Sequence, residues 1–132
     1  MSSLLSLHWL ALVSLAVFQL KHFVCDFSLQ TPRQIAAKGF YGRQGGLEHA
    51  GLHAVASIPA LLVLTQSVAA IAIVVVVEFA VHYHVDFVKA RIDKSQGLSD
   101  TSRAYWVVFG LDQLVHQMTY LVIVTVLLGL RL

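Results

Sequence analysis

Four pairs of metal-binding side chains recur in this chain at a spacing of four residues: His22 and Asp26, His49 and His53, His82 and Asp86, Asp112 and His116. Residues four apart lie on one face of an α-helix, about 40° round and about 6 Å up. Each pair therefore aims two donors in one direction. Neutral imidazole and ionised carboxylate are ligands for zinc, manganese and iron. Five histidines and three aspartates exceed the four donors of a structural zinc site. The expectation is two divalent transition-metal ions, zinc first with iron or manganese as alternatives, sharing bridging carboxylates and a water.

The elements that carry these pairs are greasy. With 58% apolar residues, 12% charged and a mean hydropathy of +0.76, the chain lies outside the range of soluble domains. A bilayer-spanning helix takes roughly 20 predominantly apolar residues, and four such segments fit, at about residues 4–29, 47–64, 67–88 and 104–130. Residues 31–46 and 89–103 are left as loops, in a single domain over 1–132. Met1-Ser2-Ser3 carries no basic residue and no small-residue cleavage site follows, so the first segment reads as a retained anchor rather than a secretory signal. One cysteine, Cys25, excludes an internal disulfide and a multi-cysteine metal site.

Charge placement orients the segments. Arg33, Lys38 and Arg43 fall in the first loop, and Lys89, Arg91, Lys94 and Arg103 in the second, while the turn at Thr65-Gln66 has none. The positive-inside rule then puts both loops in the cytoplasm and both termini outside, in a multi-pass protein of the inner (cytoplasmic) membrane. Tyr105 and Trp106 would anchor the fourth helix at the cytoplasmic interface, with Trp9 near the opposite one. Pro59 predicts a bend in the second helix. On this topology all four ligand pairs reach one level in the cytoplasmic half. A single His-Asp pair would serve as interhelical hydrogen-bond glue at about 1 kcal/mol. Eight such groups in matched pairs cost too much to bury without strong compensation and mark function.

Other polar residues divide by face. His84, about 200° round from His82, points away from the cluster and reads as a packing or interfacial histidine. His8 reads as solvent-facing, and Cys25 as a small buried thiol. Glu78, one turn from His82 toward the bilayer centre, is open between a ninth ligand, a proton relay and an acceptor that orients a ligand. Gln30, Gln113 and Gln117 flank the pairs and could hold ligand histidines in one tautomer. The glycines of "GFYGRQGG" lack the lysine-serine or lysine-threonine ending and preceding strand of a phosphate loop, and are expected to let the chain turn at the membrane surface.

The segments "HFVCDF" and "HYHVDF" share a His-xxx-Asp-Phe pattern, each followed by a basic loop and a helix with the next pair. Two hairpins of one orientation form a parallel repeat about an axis along the membrane normal. Bringing their ligand faces together predicts an all-α integral membrane four-helix bundle built from two similar helical hairpins, with the site in its core.

The succession "HFVCDFSLQ", "HAGLH", "HYHVDFVK" and "DQLVHQ" resembles a family of small uncharacterised bacterial and phage four-helix membrane proteins, a domain of unknown function. The resemblance implies that His22, Asp26, Gln30, His53, His82, Asp86, Lys89, Asp112, Gln113 and His116 belong to the family pattern, with Lys38 as the loop lysine. It implies no reaction. A looser likeness to membrane-bound hydrolases of the zinc phospholipase type rests on helices and His/Asp ligands alone.

The chemistry itself suggests a reaction. Two metals lower the pKa of a bridging water and clamp both oxygens of a displacement, which suits a dinuclear metal-dependent hydrolase acting on a lipid or lipid-linked phosphoester at the cytoplasmic leaflet. Asp86 or Asp112 would be the catalytic base, and Lys38 and Lys89 would receive the anionic group. The expected partners are membrane lipid and a second copy or another membrane protein, with no nucleic acid. Metal transport, sensing or chaperoning is the alternative, although the outward halves of the helices offer almost no polar stepping stones. A membrane di-iron oxidase is a further alternative, against which stand the absence of adjacent histidine pairs and of Glu-xx-His motifs. A b-type haem would leave the aspartates unexplained.

Overall fold

The computed structural model describes residues 2–131, and among them every regular element is a helix. In chain order these are α1 (Ser2–Phe23), which runs on through a π-helical turn (Val24–Ser28), α2 (Pro32–Lys38), α3 (Gln44–Ala56), α4 (Ile58–Leu64), α5 (Val68–Gln96) and α6 (Arg103–Gly129). Four stretches, Ser6–Ser28, Gln44–Leu64, Val68–Gln96 and Arg103–Gly129, are long and apolar enough to cross a membrane. Each packs on its neighbours in a ring: α1 against α4 and α6, α3 against α5, and α5 against α6.

The second stretch is broken at Ser57, one residue before α4, because Pro59 has no N–H for the Val55 carbonyl and its ring crowds the preceding turn. The Ser57 amide shifts to the Ala54 carbonyl (3.3 Å). The His53 carbonyl, released from its helical bond, accepts instead from Ser57 Oγ (3.1 Å) and Lys21 Nζ (3.1 Å).

Both expected loops are shorter than the apolar pattern suggests. The segment 31–46 contains α2, started by Thr31 through a capping box with Gln34 and by Pro32 at the first helical position, signals of sequence rather than of hydropathy. The third helix does not stop at 88. "KARIDKSQ" is made of good helix formers, Lys89 and Asp93 pair one turn apart at 2.8 Å, and the helix ends only where Gly97 takes the left-handed conformation (φ 61°). Polarity ended the membrane pattern there and left the helix intact. Ser67 and Ser102 cap α5 and α6 through hydrogen bonds to the Ala70 and Tyr105 amides.

Burial is inverted relative to a soluble protein. Val68, Val76, Leu20 and Ile73 are each more than half exposed, whereas Lys21, Glu78, five histidines, Asp86 and Asp112 are buried. The interior has two zones. One is an apolar cluster of Phe18, Leu61, Leu64, Ile123, Val124 and Leu127, closed by Tyr120 stacked on Phe18 at 4.8 Å. The other is polar and lies on the side of α2.

Helix α2 closes that polar side by packing on α3 and α5. The glycines expected to make a surface turn include two that do something else: Gly45 and Gly46 lie buried in the first turn of α3. A Cβ on Gly45 would meet Ala37 Cβ at 2.8 Å and the Arg33 carbonyl at 3.1 Å. Gly45→Ala is expected to lower stability by about 1–3 kcal/mol through overpacking, read as a drop in Tm in detergent. Gly51→Ala, whose new methyl meets only Phe79 at 3.9 Å, gains helix propensity and should leave Tm unchanged or raised. Equal effects at the two positions would mean that α2 does not dock through Gly45.

Candidate metal centre

Asp26 sits in the π-helical turn, where the Leu29 amide reaches back to the Val24 carbonyl at 2.9 Å. Such single-turn bulges inside α-helices are found at functional sites, and this one aims the Asp26 carboxylate into the bundle. Its Oδ1 lies 3.1 Å from both His49 Nε2 and His53 Nε2, and its Oδ2 lies 3.1 Å from His22 Nε2. Asp86 is the second hub. Its Oδ2 is 3.4 Å from His82 Nε2, 3.5 Å from His49 Nε2 and 2.8 Å from Lys38 Nζ, and its Oδ1 is 3.4 Å from His116 Nε2. Asp112 Oδ1 stands 3.6 Å from His116 Nε2.

The imidazoles form a column. His82 stacks on His53 with centroids 3.8 Å apart and on His116 at 4.1 Å, and His49 closes edge-on against His53 at 4.6 Å. Face-to-face packing this close suits uncharged rings, the form that ligates metals. None of the five histidines is more than 3% exposed. Yet both ring nitrogens of His82, with His53 Nδ1, His116 Nε2 and Asp112 Oδ1, make no hydrogen bond, His82 Nε2 and His116 Nε2 only facing Asp86 at 3.4 Å. Leaving a buried polar atom unsatisfied costs about 1–3 kcal/mol, and five together in one native site need an explanation.

Donor atoms of Asp26, His49, His53 and His82 lie within 4.8 Å of one another, as do those of His82, Asp86 and His116. Both groups could hold a cation, and His82 belongs to both. Three carboxylates meet here and Lys38 pairs with one of them, Asp86, so the electrostatics also favour cations. The donor set, the orphaned nitrogens and the charge fit a metal.

The other predicted residues fall into three kinds of place. His22 lies in the cluster but has both nitrogens engaged, Nδ1 with Tyr120 Oη (2.9 Å) and Nε2 with Gln113 Oε1 (3.0 Å); it is outside both donor groups and braces Asp26. Gln113 Nε2 reaches Asp112 Oδ2 at 3.2 Å, and Gln30 Nε2 lies 3.0 Å from His49 Nε2. Away from the donors, Glu78 faces Lys21 (2.5 Å) and Ser57 (2.7 Å) rather than a ligand ring. Gln117 Oε1 is buried without a hydrogen-bond partner. Lys89 reaches Asp93 and stands over the Tyr105 ring at 4.7 Å instead of touching the carboxylates. Cys25 is buried outside both donor groups. His84 turns outward to Tyr41 Oη (3.0 Å) and its own helix's Ala80 carbonyl, and His8 is exposed.

Two residues of the site have no counterpart in the sequence reading. Lys21, 7% exposed, forms a buried ion pair with Glu78, and Tyr120 holds His22. The available signal was charge complementarity, since Lys21 and Glu78 interrupt two otherwise apolar runs with opposite signs.

Above the donors a cavity of about 850 Å³ opens, walled by Asp26, Asp86 and Asp112 at its base and by Lys38, Lys89 and Lys94. A second, apolar space of about 340 Å³ lies between α5 and α6. In comparisons with known proteins, the profile described as "Protein of unknown function (DUF3307)" matches residues 14–131. No curated protein and no solved structure matches the chain.

Proposed function

The chain belongs to the DUF3307 family of proteins of unknown function, and from its site we propose that it is an integral membrane, metal-dependent hydrolase of lipid or lipid-linked phosphoesters. The helices cross the cytoplasmic membrane as two similar hairpins, with both termini outside and the cavity facing the cytoplasm, on the charge asymmetry of the loops. The observation that carries the reading is His82, buried with neither ring nitrogen hydrogen-bonded and common to both donor groups. Because one neutral imidazole serves one ion, the six donors divide as Asp26, His49 and His53 against His82, Asp86 and His116. Each half is one carboxylate with two imidazoles. Three protein ligands leave positions open for water and substrate, as in catalytic rather than structural zinc sites.

When bound, two such ions would supply a water of lowered pKa and a clamp on the attacking and leaving oxygens. The chain's own residues supply the rest. Lys38 holds Asp86 and, with Lys89 and Lys94, offers ammonium donors to a phosphate in the cavity, Asp93 holding Lys89 in place. Asp112, at the cavity floor with Oδ1 unpartnered, accepts the proton as general base while Gln113 fixes its other oxygen. His22, held by Tyr120 and Gln113, keeps Asp26 aimed at His49 and His53.

The test has two arms. Elemental analysis of detergent-purified protein should find close to two transition-metal ions per chain. Protein reconstituted with phosphatidic acid or a polyprenyl pyrophosphate should release phosphate, and Asp112→Asn should lower the rate about 10²–10⁴-fold with metal retained. Asp86→Asn should lower both rate and metal content. Fewer than half an equivalent of metal after metal-supplemented expression would sink the proposal.

The two-histidine, one-carboxylate set is also that of non-haem iron oxygenases, which keeps a membrane di-iron oxidase as second reading. Iron in the purified protein, with oxygen consumption and no phosphate release, would put it first. Transport is disfavoured by the apolar zone beyond Tyr120. Its buried Ser14 bonds to its own helix at the Leu10 carbonyl and so offers no step outward from the donors.

A further inference from the structure

The apolar space between α5 and α6 does not end in the membrane face. Val85, Val88 and Ile92 form one wall and Val108, Leu111 and Val115 the other, and at its inner end stand Lys89 and Asp112. The same two residues line the large polar cavity. The two spaces thus meet at Lys89 and Asp112: an apolar slot, about 10 Å long on the α5 side, lies against a chamber lined by three lysines and by the carboxylates of the donor groups. Val88, Leu111 and Val115 are each 43% exposed or more among the described residues.

A hydrocarbon-lined slot beside a chamber whose carboxylates would be neutralised by bound cations, leaving three lysines at its wall, selects an anionic amphiphile. We propose that the α5–α6 slot binds one hydrocarbon chain of an anionic membrane lipid, placing its phosphate in the cavity against Lys89. The slot lies at the low end of the ~300–1,000 Å³ range of ligand pockets, so it takes a single chain. The polar cavity holds the headgroup, with Lys38 and Lys94 across from Lys89. Lys89 is anchored by Asp93 and by the Tyr105 ring, so its ammonium stays at the junction instead of folding back into the slot. The proposal rests on the membrane placement and substrate class given above, and it adds how substrate arrives: sideways, through the α5–α6 gap.

Binding is measured apart from the reaction. Detergent-purified protein is titrated with phosphatidic acid or phosphatidylcholine, and bound lipid is counted by native mass spectrometry. The unmodified chain should retain one phosphatidic acid at concentrations where phosphatidylcholine is lost. Val115→Trp and Val88→Trp, which fill the slot from opposite walls, should weaken phosphatidic acid at least tenfold while metal content stays that of the unmodified protein, which serves as the check on folding. Lys89→Ala should abolish the preference between the two lipids. Val122→Trp, on a lipid-facing part of α6 away from the slot, should bind normally. Equal retention of both lipids by the unmodified protein, or phosphatidic acid binding untouched in both metal-replete tryptophan variants, would overturn the proposal. Slot binding without phosphate release would count against the hydrolase reading alone. Undiminished lipid hydrolysis in Val115→Trp would count against the slot alone.

Discussion

Replacing His82 by alanine is expected to strip the protein of most of its metal, leaving less than half an equivalent per chain, and to remove the effect of chelators on its melting temperature. His82 is the one residue common to both donor groups, and it is the middle ring of the column, 3.8 Å from His53 and 4.1 Å from His116. Its loss takes a ligand from one site and leaves a gap that both neighbouring rings can tilt into, misaligning the other. An ion that binds only the folded chain stabilises it by about 2.7 kcal/mol at a hundred times Kd. The unmodified protein should therefore melt several degrees lower after chelation, and His82→Ala should melt at that lowered temperature with or without chelator. His84→Ala removes an exposed ring that touches Tyr41 and should retain metal and chelator sensitivity. Metal mass spectrometry with parallel melts decides the matter. A metal-replete His82→Ala variant would mean that the donors serve only as a hydrogen-bonded polar core.

The same residues show what could be read in advance. Four pairs at helical spacing inside apolar runs left few ways to place them, because buried imidazoles and carboxylates must find partners and the pairs were the main source of them for each other. The assembly of the cluster was therefore legible, while its internal division of labour was not. Spacing cannot reveal that the first helix takes a π turn at Asp26, and that turn makes Asp26 a hub while leaving His22 to brace it. Hydropathy located where the apolar pattern stopped at Val88, but helix formation depends on caps and propensity, so α5 ran on to Gly97 and carried Lys89, Asp93 and Lys94 into the cavity wall. Glu78 shares the His82 face, which suggested a tie to the ligands. Its contacts were set by α1 and by the break before Pro59, which together bring Lys21 and Ser57 to it, and neither depends on residues near Glu78 in sequence.

That buried Lys21–Glu78 pair carries the largest stability effect expected outside the metal centre. Lys21 Nζ and Glu78 Oε1 lie 2.5 Å apart with both side chains at most 6% exposed, and Ser57 Oγ adds a hydrogen bond of 2.7 Å to the same carboxylate oxygen. Removing one partner strands a charge where neither water nor another counter-ion reaches it. Lys21→Met and Glu78→Gln should each cost about 3–5 kcal/mol, whereas the double variant, with no stranded charge, should recover most of the loss. The coupling should not extend to the metal. Lys21 also donates to the His53 carbonyl that the helix break released, and glutamine at 78 with methionine at 21 cannot replace that bond. The stable double variant should therefore bind metal about 10–100-fold more weakly, the usual cost of losing a group that orients a ligand. A double-mutant cycle in detergent, read by thermal melting and by competition with a chromogenic chelator, separates the two roles. Additive stability losses would show that the pair is not energetically coupled, and unaltered metal affinity in the double variant would show that Lys21 does not position His53.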